Sequence, residues 1–282
     1  NMVATSSDPL LLNWEKVSGK AVIPMTSPTG FPLPYDVYDP NIWKKSGIYY
    51  SLSGGITDGP GKKQIRANFL FRSRDLVNWE YMHEFYERTP EWTEITEDNM
   101  CPSFLPLPSG PNGEPGNKHL LLFISHNLGC QYYIGTYKND KFFPENHGRM
   151  TWEDNAYFAP EALIDGEGRH IMWSWIFDDR PQELKDYYGW TGTFGLPRSL
   201  WEGEDGTLRM RPVKELANLR KDVKIKRNIT VDTDSDFKLE NFGKQLLELE
   251  ITADLNGANQ FGVKVNASGD GREETVLYYD DI

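Results

Sequence analysis

The 282-residue chain carries 30 basic and 42 acidic residues, a formal charge of −12. That acidity argues against nucleic acid, which needs a basic footprint to displace counterions, and against an anionic membrane surface. No run of about 20 apolar residues could span a bilayer, and two cysteines, Cys101 and Cys130, make neither a disulfide framework nor a zinc site.

The chain opens on NMVATSSD, without an initiator Met or a secretion signal, and closes within a strand-like run, VLYYDDI, so both ends are expected to lie inside a longer protein. SSDPLLLNWEKV near the start and RSRDLVNWEYM at 72–82 repeat Ser, Asp, Leu and then Asn-Trp-Glu. In each, an Asp-Leu turn is expected to precede a Trp, Trp14 or Trp79, that plugs between neighbouring sheets. A second repeat is marked by proline. Asp39-Pro40, Cys101-Pro102 and Ala159-Pro160 stand 62 and 58 residues apart, and each is followed by an apolar stretch, a turn with Gly and a second apolar run. Leu196-Pro197 is a shorter echo. Repeats of this period predict antiparallel sheets stacked around an axis, with the residue before each Pro facing one central cavity.

Between the markers, Ile48-Tyr49-Tyr50, Phe69-Leu70-Phe71, Leu120–Phe123 and Gln131–Ile134 are short aromatic or branched runs bounded by Gly, Asn, Asp and Pro, which are strand signals. Helical spacing emerges only at 212–220, where Val213, Leu216 and Leu219 follow a Pro. From Lys221 onward KIKRNITV, QLLELEITADL, QFGVKV and ETVLYYD read as antiparallel strands. The predicted organisation is a repeat domain over 1–212, a helical linker over 213–221 and the start of a β-sandwich over 222–282. The fold class is all-β. Asn228-Ile-Thr230 and Asn266-Ala-Ser268 would accept glycans if the protein is secreted by a eukaryote.

Asp39 is the residue type expected to carry chemistry. The following Pro is expected to hold the strand extended, with the carboxylate at a strand start facing the axis. An inward carboxylate among aromatic rings suits sugar chemistry. The five His residues have no metal-ligand spacing and no Gly-rich phosphate loop occurs, so neither a metal nor a cofactor is expected.

YDPNIW at 38–43, MCPSFLPL at 100–107, FAPEALIDGEGRHIMWSW at 158–175 and GLPRSLWEGEDGTLRMRPVKELANLR at 195–220 resemble, in order and spacing, the blade motifs of glycoside hydrolase family 32, the invertases, inulinases and levanases. The resemblance covers nearly the whole chain. It implies a five-bladed β-propeller with a funnel-shaped active site, the first blade incomplete or absent here, followed by a β-sandwich. The implied activity is cleavage of β-fructofuranosyl bonds with retention, in sucrose, inulin or levan. The substrate is then an oligo- or polysaccharide containing fructose, and the implied location is extracellular or periplasmic. Asp39 matches the family's transition-state stabiliser.

Three departures shape the site. The family's nucleophile motif, near Trp-Met-Asn-Asp-Pro-Asn-Gly, has no counterpart before Ser6, and Tyr38 replaces the usual Arg beside Asp39. Met100 stands at the position of the acid/base Glu, and a thioether cannot transfer a proton. Three carboxylates are open for that role. Strand alternation turns Asp98 to the same face as Met100, a β-bulge would bring Glu97 inward, and Glu161 follows the third Pro marker. A site without a working acid is the remaining alternative. Tyr38, Arg66, Asn68, Cys101, Glu161 and Trp175 are the candidate sugar contacts, with Arg66 and Asn68 placed on an inner strand. His126 and Trp173 are further candidates for the cavity lining. The rival functions are a non-catalytic carbohydrate-binding propeller and a related five-bladed arabinosidase or xylosidase.

Overall fold

The computed structural model describes residues 1–25, 33–151, 156–233, 235–239 and 246–280. Two units divide the chain, Asn1–Val213 and Lys214–Ile282.

The first unit opens with a short antiparallel pair, β1 (Ala4–Thr5) and β2 (Glu15–Lys16). A first sheet follows in chain order: β3 (Asp36–Lys45), β4 (Ile48–Asp58), β5 (Gln64–Ser73) and β6 (Trp79–Glu84). The second sheet repeats the meander with β7 (Met100–Leu107), β8 (Lys118–Ser125), β9 (Gly129–Lys138) and β10 (Lys141–Arg149). The third contains β11 (Tyr157–Ile164), β12 (His170–Ile176), β14 (Arg198–Glu202) and β15 (Leu208–Pro212). Helix α1 (Gln182–Tyr188) and the two-residue strand β13 (Thr193–Phe194), paired with β12, interrupt it. No sheet closes on itself among the described residues. Tight turns follow local chemistry. Ser46-Gly47 and Asn139-Asp140 both take positive φ, the two-residue turn whose twist matches the flanking strands.

Each Pro marker lies on the first strand of its sheet, and β7 packs beside both β3 and β11. The core fills the space between sheets. Tyr50, Leu52 and Leu70 of the first sheet meet Phe104, Leu121, Phe123 and Phe142 of the second. Leu120, Leu122, Ile124 and Ile134 of the second meet Tyr157, Met172 and Leu200 of the third. The opposite face of the first sheet packs Val37, Phe69 and Phe71 against Ile23 and Tyr35. Each such side chain contributes roughly 1.5–3 kcal/mol on burial, so the stacking of faces dominates the stability of the unit.

The three markers share a backbone device that proline alone does not predict. In each first strand one extra residue interrupts the ladder, between Tyr38 and Pro40, Met100 and Ser103, and Phe158 and Glu161. Asp39, Cys101 and Ala159 carry φ of 47°, 47° and 44°. The expectation of an extended Asp39 is therefore corrected. Each residue before Pro adopts the left-handed conformation of a β-bulge, the cost of which the surrounding ladder absorbs. The residue after each Pro then serves as a strut. Asn41 Oδ1 accepts from the Phe104 amide at 3.2 Å, and Ser103 Oγ accepts from the Ala162 amide at 3.2 Å. Glu161 occupies the third equivalent position.

The Ser-Asp-Leu…Asn-Trp repeat forms one structure twice. Asp8 accepts from the amides of Leu10 and Leu12 and from Asn13, while Asp75 accepts from the amides of Val77 and Asn78 and from the Asn78 side chain. Trp14 and Trp79 donate their indole N–H to the carbonyls of Leu11 and Leu76. The plug expectation holds only in part. Trp79 packs against the Phe69–Phe71 cluster, whereas Trp14 is exposed.

In the second unit Lys214–Leu219 is a 3-10 helix, and β16 (Gln260–Val265) pairs antiparallel with β17 (Thr275–Asp280). The runs expected as strands at 224–231 and 246–254 take no strand conformation. Ile225, Leu246, Leu247 and Ile251 are exposed, with no facing sheet among the described residues to bury them, and a lone hairpin gives little support to further strands.

Candidate active site

The bulges place three side chains side by side. Asp39 on β3 is half-buried, and its Oδ2 accepts from the Cys101 amide at 3.4 Å and from the Cys101 thiol at 3.7 Å. Burial first, then the Asp39 carboxylate and Glu161, push the Cys101 thiol up to about 12. It therefore remains a neutral donor to Asp39. On β11, Glu161 responds to the same environment. Desolvation and the negative charge of Asp39 raise its carboxyl to about 7, although the residue is exposed. Two carboxyl groups thus flank Cys101, one on each neighbouring strand.

Tyr38 borders this group. Its hydroxyl accepts from Arg66 Nη1 at 3.3 Å, and burial raises its own pKa. Arg66 lies on β5, the third strand of its sheet, rather than on the inner strand expected for it and Asn68. It nevertheless reaches the site from the strand end, with its Nε 3.3 Å from Asp98 Oδ1. Asn68 is buried and donates to the Asn99 carbonyl at 3.2 Å, so it supports the backbone at Asn99. Gly54 makes room for that segment. A Cβ there would lie 3.0 Å from both the Asn99 carbonyl and the Tyr38 ring.

The two acidic residues before Met100 lie just ahead of the strand from which alternation is read. Strand β7 begins at Met100, so Glu97 and Asp98 lie in a bend and loop outside the pleat. Asp98 faces Arg66 through one oxygen, and its other oxygen contacts the His126 ring and accepts from the His126 amide. The β-bulge of this strand falls at Cys101-Pro102 and does not include Glu97. Glu97 accepts from Gln131 at 2.6 Å and faces Arg149 at 3.7 Å, within a polar network that continues to Ser125 and His147.

Aromatic rings complete the site. Phe158, one residue before the third bulge, stands edge-on to Trp175 at 6.0 Å and to His126 at 5.9 Å. Trp175 also meets Phe177 at 5.0 Å. Trp173 and Trp175 are both exposed on the same face of β12, consistent with the spacing in WSW. Gly192 packs against the Trp175 indole so closely that a Cβ would overlap it. Sequence reasoning passed over Phe158, Phe177, Gly54 and the strut at Asn41. The column of polar residues immediately after each marker Pro was the signal for the strut.

Among the described residues, no group of three or more His, Cys, Asp or Glu is arranged to hold a metal, and no helix is long and apolar enough to cross a membrane. Cys101 and Cys130 are free thiols. A cavity of about 250 Å³ lies elsewhere, against β3 and the N-terminal residues, lined by Met2, Ile23, Ile42 and Trp79.

Comparison with known proteins identifies the family of the chain. Residues 1–212 match the model of the glycosyl hydrolases family 32 N-terminal domain, and residues 215–282 match the family 32 C-terminal model. The chain is 26% identical over 258 residues to a sucrose-6-phosphate hydrolase of Zymomonas mobilis, covering 86% of this chain and 48% of that protein. It is 27% identical over 327 residues to a cell wall β-fructofuranosidase of Pisum sativum, covering 97% and 56%. The crystal structure of fructan 1-exohydrolase IIa from Cichorium intybus superposes with a TM-score of 0.61 at 25% identity, over 77% of this chain and 42% of that one. The chain spans about half the length of the curated relatives it matches. With the two family models matched over residues 1–212 and 215–282, the chain belongs to glycosyl hydrolase family 32.

Proposed function

We propose that the protein cleaves β-fructofuranosyl linkages with retention of configuration, acting on a fructose-containing oligo- or polysaccharide. The observation that carries this reading is the pair of carboxyl groups, Asp39 and Glu161, held on neighbouring first strands around Cys101. Family membership and the names of the relatives support the substrate class. In this reading the three sheets are blades of a five-bladed propeller, and the second unit belongs to a sandwich.

The chemistry follows from the positions. Asp39 binds fructose hydroxyls and stabilises the positive charge that develops on the ring as the glycosidic bond breaks. The Cys101 amide and thiol fix its carboxylate for that task. Tyr38 and Arg66 supply a hydroxyl and a guanidinium beside it, while Phe158 and Trp175 offer ring faces and edges to the apolar side of a sugar. Retention requires a nucleophilic carboxylate about 5–5.5 Å from the proton donor. The chain shows no counterpart of the family's nucleophile motif, so the nucleophile is assigned to no residue here.

Met100 favours a second reading, a propeller that binds fructans without cleaving them. Product analysis of the full-length protein on sucrose, inulin and arabinan, with calorimetry on the same sugars, separates the cases. Fructose release supports the proposal. Arabinose release, or binding without turnover, would overturn it.

A further inference from the structure

We propose that Glu161 is the proton donor to the departing alcohol, taking the part that Met100 cannot play. This inference rests on the fructoside-cleaving function above and assigns the acid within that site.

The other two carboxylates are spent on structure. Asp98 engages Arg66 through one oxygen and His126 through the other. Glu97 accepts from Gln131 and the Glu94 amide and faces Arg149. Glu161 differs from both. It makes no hydrogen bond or ion pair among the described residues. Its two counterparts in the bulge repeat, Asn41 and Ser103, are bonded to the amides of the neighbouring first strand. The repeat therefore puts a free carboxyl where the other sheets place a strut. It lies on the strand next to Cys101, near enough to Asp39 for the two charges to oppose each other. Its ladder partner across β12 is Trp173, and Phe158 and Trp175 follow across the bulge, so it stands in the ring-lined part of the site. Desolvation and the Asp39 charge raise the carboxyl to about 7 although the residue is exposed, so it carries a proton for part of the population at neutral pH and is matched to giving it up there.

The step balances as follows. As the bond between the anomeric carbon and the glycosidic oxygen breaks, its electron pair stays on the oxygen, and the anomeric carbon bonds to the nucleophilic carboxylate that retention requires, from which water later displaces it. That oxygen takes the Glu161 proton, and the alcohol leaves neutral. Glu161, now a carboxylate, later accepts a proton from the water whose oxygen ends on the anomeric carbon. The net change is fructoside plus water to fructose plus alcohol, with Glu161 restored.

The test uses the full-length protein and its E161Q and E161D variants on two substrates, an alkyl β-fructofuranoside and nitrophenyl β-fructofuranoside, whose leaving group departs as an anion. E161Q should lose on the order of 10²–10⁴-fold on the alkyl substrate and only a few-fold on the nitrophenyl one. The basic limb of the wild-type pH profile, near 7, should vanish in E161Q and persist in E161D. Equal losses on both substrates, or an unchanged basic limb in E161Q, would show that Glu161 does not donate the proton. Should E161Q fail to fold, E161D decides: a retained limb with slower turnover supports the donor, and an unchanged rate and profile oppose it. Wild-type protein that cleaves neither substrate overturns the function itself, a result distinct from any behaviour of the variants.

Discussion

Cys101 donates both its amide and its thiol to a single oxygen of Asp39, at 3.4 and 3.7 Å, across the seam between the first strands of two sheets. The contact exists because both residues occupy the extra position of a β-bulge, at φ 47° in each case. Chain connectivity does not bring them together, since 62 residues separate them.

The first prediction concerns the thiol. D39N keeps the shape of the side chain and removes the charge that helps hold Cys101 high. Alkylation of Cys101 by iodoacetamide should therefore be slow in the wild type at pH 8 and several-fold faster in D39N, as the thiolate fraction grows. Cys130 is fully buried and should stay silent in both. Equal rates would show that Asp39 does not act on the thiol.

A second prediction follows from linkage. The folded-state pKa of Glu161, about 7, lies above its ordinary value of 4.5. A carboxyl raised by folding binds its proton more tightly in the native state, so its contribution to stability is complete below about 4.5 and is lost as pH rises through 7. Relative to E161Q, the wild type should lose melting temperature between those values. Solvent contact of the side chain screens the interaction, so the loss should be modest. Parallel melting curves for the two proteins across that range would contradict the shift.

The bulges themselves can be tested at Ala159, which has no polar side chain to confuse the result. An alanine at φ 44° is strained, whereas glycine tolerates that conformation. A159G should be neutral or stabilising by up to about 1 kcal/mol in chemical denaturation, despite the greater freedom of glycine in the unfolded chain. A loss above about 1 kcal/mol would argue against the left-handed bulge.

Removal of a strut is a separate prediction. S103A deletes the acceptor for the Ala162 amide at a fully buried position and should cost about 1–3 kcal/mol. G54A should cost about 1–3 kcal/mol through overpacking, because its Cβ would press on the Asn99 carbonyl and the Tyr38 ring. Urea denaturation measures both.

These features differ in how far the sequence discloses them. The Pro-marked stride and the aromatic runs are local signals, and they located the first strand of each sheet correctly. The left-handed turn at Asp39, Cys101 and Ala159 was hidden, because proline alone favours an extended predecessor and only the cross-strand ladder imposes the bulge. Alternation does not govern Asp98, because it assumes a continuous strand, whereas β7 starts at Met100. The partners of Asp98 and Glu97, namely Arg66, His126, Gln131 and Arg149, come from other strands and loops, and no spacing in the chain announces them. The surroundings of Glu161 are equally non-local. The strands expected in the second unit were read from composition, but a strand needs a ladder, and residues 224–231 and 246–254 take part in none among the described residues.

The most direct measurement is kcat for fructose release from sucrose or inulin by the full-length protein and its D39A variant, with sugar affinity followed by calorimetry. A fall in kcat of at least about 10²–10³-fold with the fold intact is expected if Asp39 stabilises the transition state. Undiminished turnover in D39A would contradict the central role given to that carboxylate.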